Sequence, residues 1–600
     1  MGCMLARAVI VTIGLDLAGC GKQIAPPSGD PHSFARPERV AVRELALDLT
    51  VDFATKTLAG TAQLSLARKA GNEVILDSDG LAIKAVSECA SKQPRTFKLG
   101  AKSRLGQPLS VQLEPSDQCI AVTYRTGPDA GALLWVEPSG TAGGQHPMLF
   151  TQSQPILARS WIPLQDTPSV RFPYQATIRG TGSLWALMSA ENSQTPPPDG
   201  VWRFRQPRAI PSYLMALAVG DFAFRSIGPR SGVYAEPSVV EAAAHEFAEV
   251  EAMIDTAEKL YGSYRWGRYD MLVLPPSFPF GGMENPNLTF LTPTVITGDR
   301  ALVALIAHEL AHSWSGNLAT NSTWNDTWLN EGFTTYVEHR IMEELRGREF
   351  SDARWYLDRK DVVEQTAKND VSTRLAHSFG RETHPDDIPS GLAYDKGALF
   401  LRTLELAYGR AKFDAFLRGW FDRHAFQAVD TKMFIAEAKA QLGTKVDLEA
   451  WLYKPGLPAD AAPASSPQAE AIEKLATSGG EPNAQAWTTL EWTAYIEALP
   501  ENTPLQRLQQ LDARYHLTTS PNAELAMHWL PLMVNADARD VAPAVQSFLM
   551  RIGRTRMIRP LYKAMWGKNE FWRELAKTTF ERAKPRYHSL ARDSVAEVLK

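Results

Sequence analysis

The sequence predicts a multidomain α+β protein with a β-rich first domain, a mainly helical second domain and an all-α third domain. Its 600 residues exceed what a single hydrophobic core normally supports. Residues 38–225 alternate apolar and polar side chains with period two, whereas helical periodicity prevails after about residue 236. A segment rich in proline, alanine and serine at 456–470 indicates a linker. We therefore expect domains at 38–225, 226–455 and 471–600.

The overall composition is that of an ordinary globular protein, with 44% hydrophobic and 22% charged residues. Sixty-three basic and 67 acidic residues leave a net charge of −4. Nucleic-acid-binding proteins usually carry a basic excess, so we expect no nucleic-acid partner. The chain contains no run of 18 apolar residues, and we expect no transmembrane helix.

The first 20 residues have the order of a secretory signal peptide. Arg7 precedes a short apolar run at 8–15, and small residues follow in Leu17-Ala18-Gly19-Cys20. These four also resemble a bacterial lipobox, in which Cys20 would carry a lipid anchor. Residues 21–37, rich in Pro, Gly and Ser, would act as a linker. This predicts a periplasmic or cell-envelope location, or a cytoplasmic one if residues 1–20 are an ordinary N-terminus.

The first domain is predicted to be an antiparallel β domain. Leu45, Leu47 and Leu49 alternate with polar or small residues, as in a half-buried strand, and glycine and proline clusters separate the short strands that follow. Cys89 and Cys119 both lie in this domain and could form a disulfide in an oxidising compartment. Two free thiols agree equally well with the sequence.

The second domain contains a metal-binding pattern, His308-Glu309-Leu310-Ala311-His312. Residues 299–314 predict one helix, with Asp299 as its N-cap and Gly316 just past its end. Positions i and i+4 share a helix face, so both imidazoles can reach one ion, and Glu309 can take a proton from a water held there. The alternative is a pair of core histidines, but burying Glu309 without a task would be costly.

The third ligand is predicted to be Glu331, in Asn330-Glu331-Gly332 at the start of a helix that runs to about residue 345. Two histidines and one carboxylate leave a fourth position open for water, as in catalytic zinc sites. We expect one Zn²⁺ per chain, which cobalt or manganese could replace in vitro. Glu338, one helical repeat further on, is either a group that orients a metal ligand or a surface acid.

A further carboxylate, Glu284, follows one residue after a glycine pair in Gly281-Gly282-Met283-Glu284. Glycines allow a backbone to approach another group closely. The acid also lies near an apolar stretch at 271–274, where desolvating it is costly unless a positive group compensates. The residues by themselves do not identify that group.

These motifs together resemble the gluzincin aminopeptidases, and most closely the leukotriene-A4 hydrolase/aminopeptidase branch. Similar segments extend the resemblance over nearly the whole chain after the signal region: Gln165–Ser169, Leu274–Pro279, Trp451–Tyr453 and Gly456–Pro458. The resemblance implies a thermolysin-like catalytic domain and a helical-repeat-like C-terminal domain. It identifies the chain as a bacterial member of this family, and we expect a monomer.

The resemblance also implies roles for residues outside the metal site. Glu284, with Gly281, Gly282 and Met283, would bind the α-ammonium of a peptide, and Gln154, in Gln152-Ser153-Gln154, would assist. Tyr394 would stabilise the oxyanion that forms during hydrolysis. Arg554 and Arg556, flanking Thr555, would hold the C-terminal carboxylate of the substrate. Without the resemblance, a loop amide, a core tyrosine and a solvated basic turn would be the simpler interpretations.

The predicted function is therefore that of a zinc aminopeptidase acting on short peptides with a free N-terminus. Alternatives are an epoxide hydrolase of the leukotriene-A4 type, an endopeptidase, or a non-catalytic peptide-binding scaffold. Pro389 stands where the branch carries an additional tyrosine, in a loop that is shorter here, which argues against epoxide hydrolysis.

Overall fold

The structure is a computed structural model that describes residues 29–389, 391–482 and 487–600. Three clusters of buried hydrophobic side chains correspond to the three domains. The first cluster extends into the middle of the chain through Phe278, Met283 and Leu288. The segment around Glu284 is therefore anchored on the first domain. The predicted signal peptide and lipobox lie outside the described residues.

The N-terminal domain consists of three sheets with strand orders β12-β10-β1-β2-β7-β4, β11-β13-β9-β8 and β3-β6-β5. Its pairing is antiparallel as expected, except that β1 and β10 run parallel. The strands are β1 Val40–Asp52, β2 Thr57–Arg68, β3 Glu73–Ser78, β4 Ala82–Glu88, β5 Phe97–Leu99, β6 Gln107–Gln112, β7 Cys119–Arg125, β8 Leu133–Val136, β9 Met148–Thr151, β10 Arg171–Arg179, β11 Trp185–Met188, β12 Trp202–Pro211 and β13 Leu217–Gly220.

The structure of this domain adds the packing of residues near position 33 and a disulfide bond. The end of the predicted linker is packed on the domain: Ser33 Oγ donates to Asp77 Oδ2 at 2.6 Å, and Arg159 donates to the His32 carbonyl. The prediction that residues 21–37 form a linker is therefore wrong from about residue 30, because Ser33 and the His32 carbonyl form hydrogen bonds with buried side chains of the domain. Cys89 and Cys119, which the sequence left open, form a disulfide.

The catalytic domain combines a mixed sheet of order β14-β15-β16-β18-β17 with nine helices among the described residues. Its strands are β14 Ala223–Ser226, β15 Ser231–Ala235, β16 Tyr269–Val273, β17 Gly282–Met283 and β18 Thr289–Leu291, with β19 Ala319–Asn321 paired to β20 Gln427–Val429. Its helices are α1 Val240–Glu246, α2 Val250–Tyr261, α3 Ala304–Ala311, α4 Trp328–Arg346, α5 Arg348–Thr366, α6 Gly391–Tyr408, α7 Arg410–Arg423, α8 Thr431–Gln441 and α9 Leu448–Tyr453. The edge strand β17 begins at Gly282, the second glycine of the pair, and leads into Glu284.

The helix with the two histidines is shorter than predicted. Arg300 adopts a left-handed backbone conformation (φ 55°), so no helix can continue through it from Asp299. Asp299 instead accepts a hydrogen bond from the Ala301 backbone, and α3 begins at Ala304. The predicted cap residue therefore closes a turn ahead of the helix. Gly316, predicted to lie past the end, has φ 92°.

The C-terminal domain is all-α, with helices α10 Pro467–Thr477, α11 Thr489–Ala498, α12 Leu505–Tyr515, α13 Ala523–Asn535, α14 Ala542–Arg551, α15 Thr555–Lys568, α16 Glu570–Ala583 and α17 Ser589–Val598. The turn before α15 joins this domain to the catalytic domain. The Gly553 amide donates to the Pro276 carbonyl at 2.7 Å, and the Thr555 amide donates to the Pro279 carbonyl at 2.9 Å. In the portion of the chain that is described, no helix is both long and apolar enough to cross a membrane.

Candidate metal centre

Two helices bring the three predicted ligands together. His308 lies in the last turn of α3, His312 is the C-cap residue of that helix, and Glu331 lies in the first turn of α4. The Nε2 atoms of the two imidazoles are 3.4 and 3.5 Å from the same carboxylate oxygen, Glu331 Oε2. That oxygen is buried and accepts no hydrogen bond from any described residue. Three donor atoms therefore converge on one point.

The other nitrogen of each imidazole is held by the protein. His308 Nδ1 is 3.1 Å from Glu338 Oε2, and His312 Nδ1 is 3.2 Å from the Ser315 carbonyl and 3.1 Å from Thr334 Oγ1. A proton on each Nδ1 leaves each Nε2 with a free lone pair. This arrangement orients both rings for a metal ion, as outer hydrogen bonds do in zinc sites.

The donor set fits zinc. His308, His312 and Glu331 each offer one ligand atom, and these atoms lie within 4.8 Å of one another. Glu284, Glu309 and His312 satisfy the same criterion, but that set contains only one imidazole. Zinc prefers nitrogen donors, and only the first set combines two oriented imidazoles with a carboxylate. The first set therefore fits a zinc ion better, and the Glu284 and Glu309 carboxylates lie outside it.

Glu309 lies against the glycine pair. A Cβ atom added to Gly282 would be 2.2 Å from Glu309 Oε1, so only glycine fits here without displacing the carboxylate. Burial raises the pKa of Glu309 to about 8, and the Glu331 and Glu338 carboxylates act in the same direction. A carboxylate with a raised pKa beside a metal site is suited to accept and return a proton.

Glu284 is buried close to Glu309, with carboxylate oxygens of the two acids within 4.8 Å of each other, and Glu284 Oε1 has no hydrogen-bond partner within the described segments. The segment is fixed by Asn317, whose side chain donates to the Glu284 carbonyl at 2.7 Å. Burial, followed by the nearby Glu331 and Glu309, raises the pKa of Glu284 well above its usual range. A positive charge at this position would relieve the cost of ionising the group.

Tyr394, on α6, stacks on His308 with a ring-centroid distance of 5.8 Å. Burial and the Glu331 carboxylate raise the pKa of its phenol well above 10. The hydroxyl is therefore protonated at neutral pH and can donate a hydrogen bond next to the metal ligands.

The Gln152-Ser153-Gln154 segment follows β9. Gln152 Nε2 lies 3.2 Å from the Sδ atom of Met283, the residue before Glu284. The Ser153 hydroxyl donates a hydrogen bond to the Met215 carbonyl and accepts one from the Trp161 indole. Gln154 is half-buried. Of these three residues, Gln152 contacts β17.

The segment at the start of α15 carries two arginines, of which Arg554 is buried and Arg556 is exposed to solvent. Arg554 is buried, donates to Thr294 Oγ1 at 3.2 Å, and lies so close to Gly281 that an added Cβ would be 2.7 Å from its Nη2. Burial lowers the pKa of Arg554 to about 10. Arg556 is 60% exposed, and the Thr555 hydroxyl is buried. Arg554 therefore reaches the glycine pair from the C-terminal domain.

Several residues of the site have no recognisable sequence signal. Arg354 on α5 binds Glu338 Oε1 at 2.9 Å, opposite the oxygen that faces His308. Glu524 contacts both Arg554 and Arg556. These partners come from other helices, so spacing along the chain cannot reveal them. Thr334, by contrast, lies one turn after the Asn330-Glu331-Gly332 motif and could have been considered.

Comparison with protein families gives three consecutive matches. Residues 41–214 match the peptidase M1 N-terminal domain, residues 245–451 the peptidase family M1 domain, and residues 487–599 the C-terminal domain of leukotriene A4 hydrolase. The chain is 35% identical to leukotriene A-4 hydrolase of Xenopus laevis, covering 95% of this chain and 99% of that protein. It is 34% identical to aminopeptidase B of Mus musculus, covering 93% and 94%. Yeast LTA4 hydrolase in complex with bestatin superposes with a TM-score of 0.88 at 30% identity, covering 96% and 98%.

These relatives overturn the expected location. They are named as hydrolases and aminopeptidases of a frog, a mouse and yeasts, and none of the names denotes an envelope protein or a lipoprotein. The periplasmic or envelope location is therefore wrong on this comparison. It rested on residues 1–20, where a short apolar run before a small-residue cysteine motif is a weak signal. A bacterial origin stays a prediction.

Proposed function

The chain belongs to peptidase family M1, a family of zinc metallopeptidases, and on this premise we propose that it removes the N-terminal residue of short peptides. The observation that carries the proposal is the buried, uncompensated Glu284 next to the metal ligands. Named aminopeptidases among the relatives agree with it. His308, His312 and Glu331 would hold the zinc.

Glu284 supplies the selection for a free N-terminus. One carboxylate oxygen of Glu284 lies within 4.8 Å of a ligand nitrogen of His312. One residue of extended chain spans about 3.5 Å, so little more than one residue fits between an ammonium bound at Glu284 and the metal centre. An ammonium also restores ionisation of Glu284 through a charge-assisted hydrogen bond. Gln154 assists at the same amine.

The chain's own residues then perform the proton transfers. Zinc, when bound, acts as a Lewis acid on the peptide carbonyl and on the attacking water. Glu309 takes a proton from that water and passes it to the leaving amine, a role suited to its raised pKa. Tyr394 donates a hydrogen bond to the oxyanion as negative charge develops. Glu338 keeps His308 oriented throughout.

The far end of a short substrate is held by Arg554 and Arg556. Their guanidinium groups present planar donor pairs suited to a carboxylate. Arg554 lies against Gly281, one residue before the glycine that faces Glu309. The proximity of Arg554 to the glycine pair therefore favours peptides of a few residues.

A substrate panel tests the proposed function. Wild-type enzyme should hydrolyse amino-acid anilides and free tripeptides, lose activity with a chelator, and hardly cleave the same tripeptides after N-acetylation. Glu309→Gln should retain zinc, measured by elemental analysis, while turnover falls by roughly 10²-fold or more. Equal rates on free and acetylated peptides would rule out the role of Glu284, and full turnover in Glu309→Gln would rule out the proton transfers.

A further inference from the structure

Arg554 and Arg556 are not free cations, because a carboxylate of the chain itself lies between them. Glu524 Oε1 is 3.2 Å from Arg556 Nη1, and Glu524 Oε2 is 3.7 Å from Arg554 Nη1. Glu524 is 6% exposed, and its position in the first turn of α13 is fixed by the Asn522 cap. The acid is therefore built into the site.

The contact between Glu524 and Arg554 is incomplete. At 3.7 Å it is an ion pair without a hydrogen bond, and Glu524 Oε2 has no hydrogen-bond partner among the residues that the structure describes. The same holds for Arg554 Nε. Each of the two side chains thus keeps one buried polar atom unsatisfied, which is costly. An external carboxylate could satisfy the arginine but would lie close to the acid.

Glu524 carries its charge at neutral pH. Although burial opposes ionisation, Arg556 and Arg554 lower the pKa of Glu524. Two guanidinium groups and one carboxylate leave a single net positive charge where two would otherwise act on a bound anion. Like charges that share one site repel each other strongly when partly shielded from water.

We propose that Glu524 is a specificity-determining residue that weakens the hold of Arg554 and Arg556 on the C-terminal carboxylate of a bound peptide. The inference rests on the proposed aminopeptidase function and adds a residue to it. Removal of the N-terminal residue leaves that carboxylate on the shortened product. Tight binding of a group that substrate and product share lowers KM without raising kcat and delays product release. Glu524 therefore limits product inhibition.

The test compares a tripeptide with its C-terminal amide. Both dissociation constants are measured by calorimetry on zinc-loaded protein in the Glu309→Gln background, where turnover does not interfere. Adding Glu524→Gln should raise the preference for the acid over the amide at least tenfold, equivalent to about 1.4 kcal/mol. Glu581→Gln removes an acid on the exposed side of α16 in the same domain and should change this preference less than twofold.

The opposite outcome is well defined. If Glu524 mainly positioned Arg556, the glutamine variant would bind the acid more weakly relative to the amide, and an unchanged preference would show that Glu524 has no role in it. Either result overturns the proposal. Glu524→Met, of similar length, replaces the glutamine variant if that variant does not fold.

A second probe separates this inference from the proposed function. Hippurate and its amide carry no free amine, so their binding does not depend on Glu284. Glu524→Gln should strengthen hippurate binding relative to the amide by the same factor. If tripeptides fail to bind but hippurate gains affinity, the aminopeptidase proposal fails and the role of Glu524 stands. If tripeptides bind and the hippurate preference does not change, the role of Glu524 fails. If no probe binds to any variant, both fail.

Discussion

Replacing Gly282 by alanine tests whether the glycine pair exists to admit Glu309. Gly282 lies in β17, where its backbone is paired with Leu291 of β18 and has little freedom to move. An added Cβ would lie 2.2 Å from Glu309 Oε1 and 2.3 Å from Glu309 Cδ, whereas real Cβ contacts are essentially never below 3.0 Å. The carboxylate must therefore move by about 0.8 Å or more.

The displacement falls on a side-chain end and not on the backbone, so the variant should fold and bind zinc. A shift of about 1 Å in a catalytic group costs on the order of 10²-fold in rate. We expect Gly282→Ala to lower kcat for an amino-acid anilide by about that factor while KM changes little. Zinc content and the thermal-unfolding midpoint should stay close to those of the wild type.

Gly567→Ala provides the matched control. Gly567 lies in α15 with no atom within 4 Å of its hypothetical Cβ, so alanine should leave kcat unchanged and stabilise the helix by up to about 1 kcal/mol. A Gly282→Ala enzyme with zinc bound and a kcat within threefold of the wild type would refute the argument that Glu309 needs this space.

Two further predictions concern the metal ligands and the scaffold behind them. Glu338→Ala removes the hydrogen-bond partner of His308, so it should speed zinc transfer to a chromophoric chelator or weaken zinc affinity by about 10- to 100-fold. Glu344 is exposed on the same helix, and Glu344→Ala should leave zinc affinity unchanged. Equal zinc affinities in the two variants would exclude an orienting role for Glu338. Glu405 is buried between Arg402 and Arg410, and although burial opposes ionisation, these arginines lower its pKa. The stability that ionised Glu405 adds to the folded protein should therefore be fully present above the unfolded-state pKa of about 4.3, and it should be lost as the pH falls through the lower folded-state pKa. Glu405→Gln should destabilise the protein by about 3 kcal/mol at pH 7. The difference between the thermal-unfolding midpoints of the variant and the wild type should become smaller below about pH 4. A difference that does not change with pH would contradict the ion-pair argument.

Local spacing determined the centre of the site. His308 and Glu309 lie in one helix that His312 caps, so the side chains at i and i+4 share a face, and Glu331 lies in the first turn of the next helix. The three-domain order was also predictable, because the hydrophobic period changes near residue 236 and a segment rich in proline, alanine and serine separates the two helical portions. These features depend on neighbours along the chain.

Tertiary structure decided the rest. The left-handed Arg300 shortened α3, and the packing of residues 30–37 on Asp77 and Arg159 turned an apparent linker into part of the first domain. Glu524 and Arg354 reach the site from helices far away in sequence, so spacing cannot indicate them. Gly282 was recognisable as a place of close approach, but only the folded chain identified Glu309 as the group that approaches. Contacts between distant segments depend on how whole domains pack, and a linear pattern does not carry that information.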